Sequence, residues 1–419
     1  MTEQTSPQRR GEALGGLVAL AAVVLLVVGA VTALDSCKKD DTQTDAADAG
    51  NLDVPFGGCG DADPNEFAVQ APHDPSVVDD AGTRANYFAV WGASENAIWA
   101  VGSHGRIVFW DGTTWTQQQT PTDVQLTSVW GVSDEEVWAV GFDGTVLRYS
   151  GGQWLADQMP PDERFFENDA GPPPAPDVGT TVTEAGPRDA IVTSPRRNLW
   201  GVFAAGKAGT AGKDVTDAVY VAGDRGTVLH WQNNVWTRID SGVEEKLTGI
   251  WGTSATNVYI VGDFGTVLKG GLAGFTEEQT NTDKPLRGVW GRGDDDVYAV
   301  GLAGTIVHRN GGTWTDLPNA PKQFFRGVWG RPGGSNPVYV VGWDGVILKV
   351  SGGPGFANGA TFSPFFCTTQ QRLEGIWGLM IEVPAPAPDG GVLPGQDLGT
   401  VMVPRTWAVG VNGTIVTGP

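Results

Sequence analysis

The chain has 419 residues, with 27 Lys and Arg against 48 Asp and Glu, giving a formal charge of -21 and a pI near 4.4. That balance speaks against nucleic acid as a partner, because a phosphate backbone requires a concentrated basic footprint. The 61 Gly and 17 Trp, with only 18% charged residues, exclude disorder throughout and favour strands and tight turns over helices.

Ala13 to Leu34 is a run of 22 residues without a charge, preceded by Arg9 and Arg10. At ~1.5 Å per residue it is long enough to cross a bilayer as a helix, so residues 1–36 read as a signal or anchor segment. Three readings stay open. Leu34-Asp35-Ser36-Cys37 resembles the lipobox of bacterial lipoproteins, which makes Cys37 the acylated residue, although Asp35 stands where that motif carries a small or apolar side chain. The alternatives are an uncleaved anchor and a simple secretion signal cut after Val31-Thr32-Ala33. All three put the bulk of the chain in the cell envelope, outside the cytoplasm. Residues 37–64 are acidic and almost free of large apolar groups, as a flexible tether is.

From residue 65 to 419 one unit recurs seven times: an apolar run ending in Trp-Gly, a polar loop, a run ending in Gly-x-x-Gly, a further apolar run and an aromatic. The Trp-Gly pairs begin at Trp91, Trp130, Trp200, Trp251, Trp290, Trp329 and Trp377, and undisturbed neighbours lie 39 residues apart (91 to 130, 251 to 290, 290 to 329). Each unit divides into four short strands, and no sustained helical period follows residue 40. The predicted fold is all-β, a seven-bladed β-propeller of four-stranded blades, with Pro- and Gly-rich inserts at 157–198 and 380–403. One aromatic per second strand (Trp99, Trp138, Tyr220, Tyr259, Tyr298, Tyr339, Trp407) fits this frame. The fourth strands are expected to carry Trp115, Trp154, Trp236, Phe275, Trp314 and Phe356. The seventh unit lacks a fourth strand, and residues 65–71 are predicted to supply it and close the ring. Cys59 and Cys367 flank that closure and invite a disulfide in an exported protein, the alternative being two unpaired thiols.

The stretches WAVGFDGTVLRYSGGQW (138–154) and YAVGLAGTIVHRNGGTW (298–314) resemble the bacterial propeller repeats of the sialidase-like and photosystem II assembly factor-like superfamily. The resemblance spans about residues 65–419 and implies the fold. It implies no activity, because the sialidase Asp-box is not intact at Asp111-Gly112-Thr113-Thr114-Trp115 and the sequence identifies no arginine triad.

Ligand-contacting residues are sought where the units diverge inside a constant frame, which is within the Gly-x-x-Gly turns. The candidates are His104, Asp143, Arg225, Phe264, Trp343, Asp344 and Asn412, set against the plainer reading that these are solvated turn residues. Such turns share a face with the loops entering the first strands, the usual ligand face of a propeller. The acidic loops Ser133-Asp134-Glu135-Glu136 and Asp294-Asp295-Asp296 fall on the opposite face and read as solvated surface, without the spacing of a calcium loop. Arg292-Gly293-Asp294 matches an adhesion tripeptide by chance. The Cys and His residues are too few and too scattered for a metal centre, and no cofactor motif, catalytic elbow or P-loop is present. The expected function is a monomeric, membrane-tethered scaffold whose partner is an envelope protein or glycan and not nucleic acid. A propeller glycosidase or lyase with its site at the channel mouth is the alternative, and the Pro-rich insert is a further candidate for the interaction.

Overall fold

The computed structural model describes residues 84–157, 197–208, 214–331, 337–351, 360–366, 371–384 and 400–418, and the pairing of residues 68 and 69. They form seven four-stranded antiparallel sheets. The inner strand of each blade packs against the inner strands of the blades before and after it, and that of blade 7 against that of blade 1, so the ring is closed. These inner strands, blades 1 to 7, are Tyr87–Ser94, Leu126–Ser133, Leu199–Ala208, Leu247–Ser254, Leu286–Gly293, Phe325–Gly330 and Leu373–Pro384. Ala68 and Val69, within the segment 65–71, pair with Thr417 and Val416 as the outermost strand of blade 7.

Second strands are buried on both faces between blades, which explains their unbroken apolar runs: all five of Val258 to Gly262 are buried, as are Val297 to Gly301. The aromatic of each second strand pairs directly with the large residue of the inner strand, as Trp99 with Trp91 and Tyr298 with Trp290. The Trp-Gly pair then has a packing cause. A Cβ on Gly291 would stand 2.7 Å from the Trp251 ring of the preceding blade, and one on Gly378 would stand 2.7 Å from Trp329. Each indole therefore lies where the next blade has no side chain. In the Gly-x-x-Gly turns the first glycine is extended but abuts backbone: a Cβ on Gly102 would meet the Asn86 carbonyl oxygen at 2.0 Å.

Blade 3 corrects the sequence alignment. Leu199 pairs with Gly223 as Leu247 pairs with Gly262, and Phe203 pairs with Tyr220 as Trp251 pairs with Tyr259. The counterpart of the repeated tryptophan is thus Phe203, its glycine is replaced by Ala204, and Trp200 belongs to the strand entrance. Trp130, which would otherwise lie over that glycine, sits edge-on to Phe203 and to Trp377 at 5.5 and 5.2 Å. Blade 6 corrects a second assignment. Its fourth strand is Thr361–Phe366, and Phe362 holds the register position opposite Val350 that had been given to Phe356. Residues 380–384 and 400–403, expected within an insert, continue the inner hairpin of blade 7 out to the pair Pro384 and Thr400. The anchor segment, Cys37, Cys59, Cys367, Phe356 and most of the 157–198 insert lie outside the described residues. Among those described, no helix is long and apolar enough to cross a membrane.

Candidate functional site

The seven inner strands enclose an open funnel of about 480 Å³. Its wall is layered by strand register. The residue opposite the first turn glycine, such as Leu247 or Leu286, is buried between blades, and its neighbours along the strand face the axis. Further in come small residues (Ala89, Ser128, Gly249, Gly288), then Val and Ile side chains, and the lining ends at Trp130, Trp290, Trp329 and Trp377. The funnel therefore opens on the face that carries the Gly-x-x-Gly turns: Ser103 of one turn donates its N–H to the Asn86 carbonyl at the strand entrance, and Val411 donates to that of Arg372.

Blades 4 to 7 place Lys246, Arg287, Arg326 and Arg372 at the mouth, whereas blades 1 to 3 contribute Asn86, Phe88, Gln125, Thr127 and Trp200. Glu374 is the carboxylate among the described lining residues, with a side chain only 7% exposed. Arg326 Nε lies 3.3 Å from one Glu374 oxygen and Arg372 pairs with the other. Arg287 pairs with Asp263 at 2.7 Å. The Lys246 ammonium has no such carboxylate partner among the described residues; it stands 3.6 Å above the Trp200 ring, whose Nε1–H donates to Asp224 at 2.7 Å. Burial lowers the pKa of Lys246, and the charges of Arg287 and Arg326 push the same way against Asp224 and Asp263. Burial also lowers that of Arg326, where Arg287 and Arg372 oppose Glu374. The mouth thus holds a one-sided arc of crowded, partly dehydrated cations in a chain of net charge -21. The composition conceals this basic patch. It has the size of one or two anionic groups and is not the stripe that a nucleic acid requires.

The candidates read from the turns are distributed differently. His104, Asp143, Arg225, Phe264, Asp344 and Asn412 are the second variable residues of their turns, all exposed at positive φ between 51° and 57°. None of the seven candidates is among the residues lining the funnel. Asn412 is tied to the strand entrance, its N–H donating to Asn86 Oδ1 and its side-chain amide to Gln371. Trp343 buttresses the mouth, packed edge-on to Phe324 at 4.4 Å and lying 5.4 Å under the Arg372 guanidinium. Phe264 stands out at 74% exposure. The sequence reading missed Lys246, Arg287, Arg326, Arg372 and, through the misalignment of blade 3, Trp200. The signal that marks them is their position on either side of the buried residue that opens each inner strand.

On the opposite face the acidic loops are clamps more than solvated surface. Glu136 accepts hydrogen bonds from the N–H and hydroxyl of Thr216 in blade 3 and from Arg148 at 3.0 Å. Asp296 binds Arg292 and His308. In the Arg-Gly-Asp match, Arg292 is engaged with Asp296 and Tyr298, and Asp294 with Thr253 and Asn257. No group of acidic, His and Cys residues able to hold a metal occurs among the described residues.

No family model matches the chain, and no curated protein matches it. Among solved structures, YCF48 bound to D1 peptide superposes with a TM-score of 0.55 at 13% identity, covering 88% of this chain and 99% of that one. The WD40 β-propeller domain of Doa1 gives 0.52 at 9% identity, covering 80% and 93%. At these identities the likeness establishes the propeller fold alone.

Proposed function

We propose that the protein is an extracytoplasmic, membrane-tethered propeller that serves as a binding scaffold, capturing a protein partner by an acidic group seated in the funnel. The observation that carries this reading is the arc of Lys246, Arg287, Arg326 and Arg372 at the mouth of an otherwise acidic molecule. Crowding like charges and dehydrating them costs stability, and an incoming carboxylate returns it by forming charge-assisted hydrogen bonds. Trp200, beside Lys246, and Phe88 of blade 1 supply the apolar surface on which a peptide's side chains settle. A neutral glycan has no use for four cations. A glycosidase normally needs two carboxylates, and the described lining offers Glu374, which two arginines hold. One solved neighbour carries a bound peptide, which agrees with a protein partner.

Membrane tethering rests on the apolar run of residues 13–34 and on Cys37. Mass spectrometry of the mature amino terminus distinguishes an acylated Cys37 from an uncleaved anchor.

Binding is tested by calorimetry of the 65–419 fragment against acidic, neutral and basic peptides at low and high salt. Acidic peptides are expected to bind, more weakly as salt rises, and Arg326→Gln with Lys246→Gln to weaken them by about tenfold or more. Equal affinity for all three peptide classes, or no effect of the two substitutions, would falsify the reading.

A further inference from the structure

We propose that Lys246 is a covalent capture site for small carbonyl-bearing anions, the class of 2-oxo and aldehyde acids, with Arg326 holding the anion's carboxylate while the lysine amine takes its carbonyl. The proposal rests on the funnel being an anion site, and it adds a chemistry that peptide binding does not need.

The geometry is that of a lysine set up as a nucleophile. Its amine lines a concave site instead of trailing into solvent, and the indole of Trp200, 3.6 Å away, fixes where it stands. It has no carboxylate within ion-pair distance among the described residues, whereas Lys207 pairs with Asp217 and Lys284 with Asp283. The charged groups acting on it come from four blades: Asp224 of blade 3, Asp263 of blade 4, Arg287 of blade 5 and Arg326 of blade 6. Arg287 is already engaged by Asp263 at 2.7 Å, whereas Arg326 meets Glu374 through Nε at the longer distance of 3.3 Å. Burial raises the share of neutral amine, as desolvation activates a lysine for imine formation; Arg287 and Arg326 act the same way, but against Asp224 and Asp263.

The step balances without an oxidant. The amine lone pair attacks the carbonyl carbon, the new carbon–nitrogen bond becomes an imine, and the carbonyl oxygen leaves as water with the two amine protons. In the test, added cyanoborohydride supplies the hydride that reduces the imine to a stable secondary amine.

Full-length protein in detergent is treated with glyoxylate and cyanoborohydride at about pH 7.5, and carboxymethylation of each lysine is followed by peptide mass spectrometry. Each unit by which an amine's pKa falls gives about tenfold more free amine in neutral solution, so Lys246 is expected to react at least about fivefold faster than Lys207 and Lys284. Those two have side chains 55% and 52% exposed, so exposure alone predicts the reverse order. The excess should vanish near pH 10.5, where all lysines are largely neutral, and Arg326→Gln should reduce it. Lys246→Arg keeps the charge and removes the adduct. Succinate, which has no carbonyl to react, is measured in parallel by calorimetry. Succinate binding with no preference for Lys246 overturns this inference and leaves the anion site standing; neither binding nor preference overturns both.

Discussion

The packing rule behind the Trp-Gly pair is open to a direct test at Gly291. In Gly291→Ala the added Cβ would fall 2.7 Å from the Cη2 and Cζ3 atoms of Trp251 and 2.8 Å from the Asp296 carbonyl oxygen. The carbonyl belongs to a paired strand and yields little, so relief must come from the indole. Blade 3 shows what the relieved state looks like: Ala204 replaces the glycine, and Trp130 stands off against Phe203 and Trp377, only half-buried. Overpacking of this kind costs about 1–3 kcal/mol. With an unfolding entropy of roughly 2 cal/mol/K per residue over the roughly 260 described residues, ~2 kcal/mol lowers Tm by about 4 °C. Gly293→Ala is the control, since nothing lies within 4 Å of its Cβ and its φ is ordinary. Urea denaturation of Gly291→Ala, Trp251→Phe and the double variant completes a cycle. The shortened ring should recover part of the loss, with a coupling of at least about 0.5 kcal/mol. The reasoning is refuted if Gly291→Ala matches Gly293→Ala in stability, or if the two substitutions simply add.

Further expectations concern electrostatics and ring closure. Burial opposes ionisation of Glu136, but hydrogen bonds from Thr216 and Arg148 prevail and hold its carboxyl below the ordinary range, so Glu136→Gln should destabilise by about 1–2 kcal/mol near neutral pH. Because that pKa is depressed, the contribution is present above the ordinary carboxylate value and lost as pH falls through the folded one; a gap to wild type that stays constant on acidification would contradict it. Asp111, which accepts hydrogen bonds from the backbone N–H groups of Thr114 and Thr113, has its pKa lowered to about 2. The Tm difference between wild type and Asp111→Ala should therefore close as pH drops from about 4 towards 2, and persistence of the difference below that window would count against it. A chain starting at residue 84 loses the strand on Val416 and Thr417. Of those two amides, the one that faces the lost strand should then exchange faster than in the full chain, while its neighbour stays bonded to the second strand of blade 7, as hydrogen exchange read by NMR will show; unchanged protection of both would mean that the strand does not secure the ring.

How much of this was legible in the sequence depends on how far apart the signals lie. The ring was legible because each blade repeats its own pattern: an apolar run, a turn with two glycines, an aromatic facing an aromatic, all within about 40 residues. Blade 3 misled because Trp200-Gly201 copies the motif's letters while Leu199, the residue that sets register opposite Gly223, stands beside the tryptophan and not four positions before it. Strand pairing obeys register, so the leucine decides and the tryptophan moves to the mouth. The basic arc was illegible for a different reason. Lys246, Arg287, Arg326 and Arg372 stand some 40 residues apart along the chain, and only closure of the ring turns that spacing into adjacency. Composition averages such a cluster away, and variation within turns points to the rim, where a residue at positive φ is exposed whatever its chemistry. The informative positions in this molecule are those whose backbone is constant and whose side chain is free to change, and they flank the one buried residue that begins each inner strand.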